Sequence, residues 1–167
     1  MNQQDILNRR KEVLAKPLAV SSKEEQIELL VFSLAREQYA IEARYVQEVG
    51  SSTGFTSLPG VPPFLLGLLN VRSRILPLLD LKIFFELPAS QVDAQKYVIL
   101  KGEEKEFAIL IDELLGMQKL PLNQLQTALP TQTGVREEFL RGIVSNLTVL
   151  DGKKLLLSKE LIIDERI

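Results

Sequence analysis

The 167-residue chain contains no cysteine and no histidine. The first absence excludes disulfides, thiolate metal sites and cysteine nucleophiles by inventory, and it fits a reducing compartment. The second removes the commonest general base, proton shuttle and metal ligand. Basic charge is also in short supply, with 20 Lys and Arg against 22 Asp and Glu. A nucleic-acid partner asks for a basic face that displaces counterions from phosphates, and none is evident. Long hydrophobic runs are missing as well. The stretch 64–69 is interrupted within a few residues and cannot span ~30 Å of hydrocarbon. Arg9, Arg10 and Lys11 stand where a signal peptide needs an unbroken apolar stretch. These readings point to a soluble cytoplasmic protein.

What is present is ordinary for a globular chain: 46% hydrophobic and 25% charged residues, with too little Pro and Gly for disorder. A chain of this size buries roughly 70% of its unfolded surface, enough for a real core. Residues 1–24 read as a leader: Ile6, Leu7, Val13 and Leu14 lie near one side of a helix over 6–15, followed by a polar linker at 16–23. That leader is either a frayed tail or a short helix that docks on the body or on a partner. From Ile27 the pattern changes to short β-branched segments between turn residues, which predicts an all-β fold. Strands are expected at 28–34, 38–41, 66–71, 75–78, 97–100, 107–111, 114–118, 142–150 and 153–157. A hairpin is expected at Asp151-Gly152, whose residues suit a two-residue type I′ turn, and another at 101–104 around Gly102.

Helical segments are few. One or two turns are expected at 43–48, a helix at 81–85 capped by Asp80, and one at 159–163 capped by Ser158. Several strands are apolar on both sides of the alternation, as in Val98-Ile99-Leu100 and Ala108-Ile109-Leu110-Ile111. Such strands face a core on one side and, on the other, either a second barrel or a partner.

A search for chemistry finds little. Asp112 and Glu113 are adjacent, so on a strand they point to opposite faces and suit a strand end better than an acid/base pair. Ser51-Ser52-Thr53-Gly54 lacks the lysine and spacing of a phosphate-cradling loop. Asn146-Leu147-Thr148 matches a glycosylation acceptor but falls in an expected strand of a chain without an export signal. No catalytic residue, metal or cofactor is assigned, and a binding module follows. A small β-barrel enzyme or ligand sensor working through carboxylates or Ser51-Ser52 is the disfavoured alternative.

The order of motifs adds a resemblance. Leu30-Val31-Phe32-Ser33-Leu34, Tyr39-Ala40-Ile41 and Val46-Gln47-Glu48-Val49, followed by Leu58-Pro59, Pro62, Phe64, Gly67, Asn70-Val71-Arg72 and Ile75-Leu76-Pro77-Leu78-Leu79-Asp80-Leu81, resemble the first two blocks of CheW proteins. Ala108-Ile109-Leu110-Ile111-Asp112 resembles the third block, and Leu140-Arg141-Gly142 with 155–161 the closing strand and helix. The likeness runs over 25–163, leaving 164–167 as a tail. It implies two SH3-like five-stranded β-barrels packed together, dividing near 87–93, and a chemotaxis adaptor without enzyme activity. The partners it implies are the regulatory domain of a CheA-like histidine kinase and the cytoplasmic hairpin tip of methyl-accepting chemoreceptors. Carried over by position, Val46 and Glu48 fall on the kinase side, Gly67 and Arg72 on the receptor side. There are departures. Ser73 stands where the family usually has Gly, so the turn into Ile75 is expected to avoid positive φ or to be reshaped by Ser73 and Arg74. Lys96 and Tyr97 replace small aliphatics, and the leader resembles those of CheW-like proteins in alternative systems, including pilus-driven motility.

Overall fold

The computed structural model describes residues 25–52, 54–88, 96–126 and 135–161. The expected leader helix at 6–15, the linker at 16–23, the end of the helix expected at 159–163 and the tail at 164–167 lie outside the described residues. Among the described residues there are ten strands. They are β1 (Gln26–Leu34), β2 (Glu37–Glu42), β3 (Val46–Ser51), β4 (Leu65–Val71) and β5 (Arg74–Leu79), then β6 (Lys96–Lys101), β7 (Glu106–Ile111), β8 (Glu113–Pro121), β9 (Leu140–Val144) and β10 (Leu147–Leu150). They form two five-stranded sheets, with strand orders β9-β10-β2-β1-β8 and β3-β6-β7-β5-β4. The second sheet therefore takes the middle of the chain and the first takes both flanks. The divide expected near 87–93 lies for the most part outside the described residues.

The described residues within 28–118 and 126–161 form one compact unit. Lys119–Leu125 joins residues 25–27 in a smaller one, where Leu122 N donates to the Glu25 carbonyl at 2.8 Å.

Turn chemistry sets the register, and in three places it departs from expectation. Arg72 and Ser73 have φ of +49° and +72°, and Val71 pairs with Arg74. The turn thus keeps positive φ at both central positions, although neither residue is glycine. Two-residue loops that match the twist of their strands require that geometry, and the ladder overrides the local penalty. Ala35 and Arg36 do the same between β1 and β2, at +52° and +70°. The single strand expected at 142–150 is a hairpin, turning at Ser145 (φ +54°) and Asn146 with Val144 opposite Leu147.

The third departure is the hairpin expected at Asp151-Gly152, which is a helix start. Asp151 caps α2 (Gly152–Leu157) by accepting from Lys154 N at 3.0 Å, and Leu155 and Leu156 are buried. Burying two adjacent leucines on one side suits a helical turn better than a strand whose neighbours alternate. Gly152 is required by packing, since a Cβ there would lie 2.6 Å from the Tyr45 ring. Asp80 caps α1 (Leu81–Phe84) through Lys82 N at 2.9 Å, as expected. The segment 43–48 splits into a single 3-10 turn (Ala43–Tyr45) and the start of β3. Ser158 Oγ accepts from Leu161 N at 3.3 Å in a turn.

The strands that are apolar on both sides have two cores. Val98, Leu100, Phe107, Ile109 and Ile111 join Leu30, Phe32, Leu34, Tyr39 and Ile41 of the first sheet in the main cluster. Their neighbours Tyr97, Ile99 and Ala108 look the other way, into a second cluster with Leu69, Val71, Leu76 and Leu78. Both faces are thus filled from within the chain. At about 25 cal/mol per Å² of apolar surface, this two-layered burial is the main stabilising term.

Candidate functional site

With the doubly apolar strands accounted for, the surface that remains for partners lies elsewhere. One candidate is a cluster of charges on the second sheet. Glu48 lies on β3 and Arg72 at the tip of the β4–β5 hairpin, at opposite edges of the sheet order. Arg72 Nη1 nevertheless donates to Glu48 Oε1 at 3.1 Å. The sheet must curl on itself for this pair to form, and the contact spans the gap between its two edges.

Two neighbours complete the cluster. Arg74 Nη2 stands 4.0 Å from the same Glu48 oxygen, while Arg74 Nη1 donates to Glu106 Oε2 at 2.7 Å. Exposure is uneven: the Arg72 side chain is 79% exposed and that of Glu48 20%. A bulge at Gln47 aims the carboxylate, because Val46 pairs with Leu100 but Glu48 with Ile99. The extra residue sends Val46 and Glu48 to opposite faces. Val46 is half-buried against the main core, and Glu48 turns toward the arginines.

Gly67 is buried and has no surface to offer a partner. A Cβ there would lie 2.1 Å from the Thr56 carbonyl oxygen, which accepts from Leu68 N at 2.7 Å while Thr56 N donates to Leu68 O at 2.9 Å. Gly67 lets the 55–56 segment close over β4, and any influence on the charged cluster passes through that backbone.

The second candidate was missed by sequence reasoning. Strand β8 is the edge of the first sheet, and Leu114, Leu115 and Met117 are 39%, 46% and 55% exposed. Adjacent leucines on a strand point to opposite faces, so both faces of this edge are apolar and open. Gly116 between them has φ +121°, a distortion that spoils the strand as a template for further pairing. The available signal is the Leu-Leu-Gly-Met run itself, which by pattern is one more strand.

Just before β8, Asp112 is buried while Glu113 is exposed, as two adjacent carboxylates on a strand end should be. Asp112 Oδ1 accepts from Lys82 Nζ at 2.7 Å and Oδ2 from Ala35 N at 2.9 Å, while its own N donates to the Ser33 carbonyl at 3.0 Å. It ties α1 to the β1–β2 turn at the point where β8 starts. Ser52 Oγ is spent on Gly54, accepting from its N at 2.9 Å and donating to its O at 2.7 Å. Among the described residues no cluster of His, Cys, Asp or Glu could hold a metal ion, and no helix is long and apolar enough to cross a membrane.

Two five-stranded sheets with an exposed ion cluster and an open apolar edge define a β-sheet binding module. Residues 28–160 match the model of the CheW-like domain, and the chain belongs to that family. It is 31% identical over 154 residues to the chemotaxis protein CheW of Treponema pallidum, covering 87% of this chain and 89% of the relative. It is 33% identical over 99 residues to protein PilI of Pseudomonas aeruginosa, covering 59% and 56%. The fold is similar to the crystal structure of the scaffolding protein TtCheW from Thermoanaerobacter tengcongensis. There the TM-score is 0.68 at 23% identity, over 81% of this chain and 89% of that one.

Proposed function

We propose that this chain is a cytoplasmic adaptor that couples the regulatory domain of a CheA-like histidine kinase to the cytoplasmic tip of methyl-accepting chemoreceptors, transmitting signal by binding alone. The observation that carries this reading is the presence of two chemically unlike exposed surfaces on one small fold. The open apolar edge of β8, with Leu114, Leu115 and Met117, suits the apolar stripe of a receptor helix. The edge strand β3, which carries Val46 and Glu48, suits another β domain. We assign Val46 and Glu48 on β3 to the kinase side and Arg72 to the receptor side, with Gly67 supporting the β4–β5 hairpin from within. The Glu48–Arg72 hydrogen bond at 3.1 Å sets the two assignments side by side on one surface.

Holding two partners at once turns modest affinities into a stable assembly through effective concentration. Co-expression of the tagged full chain with a CheA-like kinase and a receptor signalling fragment tests the reading: both partners should be retained. Arg72→Glu should weaken the receptor complex by about 2 kcal/mol if Arg72 is an anchor. Retention of neither partner by the unaltered chain would end the adaptor account. The similarity to PilI favours a second output, a scaffold of a pilus-motility or other non-flagellar pathway. Genomic neighbours and the receptor recovered distinguish the two.

A further inference from the structure

The receptor surface proposed above is divided between the two sheets. The apolar edge of β8 belongs to the first, and Arg72, at the tip of the β4–β5 hairpin, to the second. Its two halves can meet one partner together only if the sheets keep a fixed placement. The apolar core shared by both sheets supplies adhesion, but hydrophobic burial is non-directional and specifies position weakly. Hydrogen bonds are directional, and where they gather marks what is being held.

In chain order the backbone passes from the first sheet to the second through Ala43–Tyr45 and returns through one residue, Asp112, which stands between β7 and β8. The first crossing holds no buried residue. The second is buried and pinned from three directions. Asp112 Oδ1 accepts from Lys82 Nζ at 2.7 Å, on α1 directly behind β5 of the second sheet. Oδ2 accepts from Ala35 N at 2.9 Å in the β1–β2 turn of the first, and Asp112 N donates to the Ser33 carbonyl at 3.0 Å. The helix is itself tied to β5, because Asp80 accepts from Lys82 N at 2.9 Å. The Arg72 hairpin leads into β5, and β8 starts at the residue after Asp112. Directional bonds thus run from one half of the receptor surface to the other.

Stability alone does not call for this chemistry. An apolar pair of similar volume would fill the same space without desolvating two charges. What such a pair lacks is a preferred direction.

We infer that Lys82 and Asp112 are positioning residues for receptor recognition: their ion pair fixes the apolar edge of β8 relative to Arg72, so that a receptor helix presenting an apolar stripe and an acidic side chain engages both at once. The inference rests on the assignment of both surfaces to the receptor and of β3 to the kinase. Strand β3 lies wholly in the second sheet, so kinase binding does not draw on the joint.

The test is calorimetric titration of the full chain, separately with a receptor signalling fragment and with the purified regulatory domain of a CheA-like kinase. Lys82→Met with Asp112→Leu should weaken receptor binding about tenfold, the share that joint engagement contributes, and leave kinase-domain binding unchanged. Within that variant Arg72→Ala should cost receptor binding less than it does in the parent, because the two halves no longer act together. Lys82→Arg, which keeps a cation against Asp112, should bind the receptor as the parent does. Equal losses for both partners would mark a general loosening of the fold, and unchanged receptor binding an idle pair; either result overturns the inference. A second measurement leaves the joint intact: the receptor fragment should slow hydrogen exchange at the Ala35 amide of the unaltered chain while the kinase domain does not, and unchanged exchange with the receptor bound also overturns it. If the unaltered chain fails to bind the receptor fragment, the assignment of the surface falls first and the positioning role with it.

Discussion

Replacing Asp112 with alanine isolates the polar junction between α1, the β1–β2 turn and β8. The Asp112 side chain is 2% exposed and that of Lys82 10%. Removing the carboxylate leaves a nearly buried ammonium without its counter-charge and the Ala35 amide without its acceptor. Breaking a buried pair from one side costs about 3–5 kcal/mol, and a stranded amide adds roughly 1 kcal/mol. The sum, about 4–6 kcal/mol, is a large part of the ~5–15 kcal/mol that holds a domain together. For a chain of this length it corresponds to a fall in Tm of roughly 8–24 °C. Urea unfolding followed by circular dichroism reads the change as a shift of midpoint at constant slope. The double replacement Lys82→Met with Asp112→Leu should recover at least half of the loss, because a pair exchanged for apolar groups strands no charge. An Asp112→Ala protein within about 1 kcal/mol of the parent would refute the reasoning, since the pair would then have to be solvated in the folded state.

Other expectations follow from single contacts. Gly67→Ala should cost at least about 1–3 kcal/mol through overpacking against the Thr56 carbonyl, with faster hydrogen exchange at the Thr56 and Leu68 amides; normal protection there would count against the close approach. Tyr39 is fully buried, and burial, aided by the Glu37 charge, pushes its phenol up from 10.0 to about 12. The folded state then keeps a proton that the unfolded state gives up, so stability is whole below pH 10.0 and falls by about 2–3 kcal/mol as the pH rises to 12. Spectrophotometric titration of Tyr39→Phe against the parent checks this, and loss of the high-pH slope only in the variant is the expected outcome. Leu115→Glu should leave stability within about 0.5 kcal/mol and cost about 2 kcal/mol in receptor binding; full receptor binding would show that β8 is not the docking edge.

The fold class was legible because turn residues and β-branched segments recur at short spacing, and most of the strands lie within a residue or two of where the pattern puts them. The errors have physical causes. At Asp151-Gly152 the same two residues serve a hairpin turn and a helix N-terminus, and what decides between them is the burial of Leu155 and Leu156 against groups distant in sequence. At Ser73 the family habit of glycine suggested that a side chain excludes positive φ. The ladder on both sides of the turn enforces it at Arg72 and Ser73 alike.

The site was only half readable. Glu48 and Arg72 were identified one by one, but their contact depends on the curl of a five-stranded sheet, which local sequence does not encode. The most apolar strands, Val98–Leu100 and Ala108–Ile111, suggested partner surface and turned out to be filled on both faces. The exposed apolar edge is β8, whose Leu-Leu-Gly-Met run is shorter and less conspicuous. Alternation measures how many sides are apolar, and only tertiary packing decides which of them stay open.

The parallel pairing of β2 with β10, which sets Ile41 beside Leu150, governs the order of assembly. A ribosome that has released the chain through β7 has supplied every strand of the second sheet, while the first still waits for most of its partners. Joining β2 to β10 closes a very long loop, and such distant contacts come late and slowly. During that interval the β1–β2 hairpin carries an unpaired edge, a template for intermolecular association. Chains halted before β9 are therefore the form of this protein most exposed to misassembly in the cell.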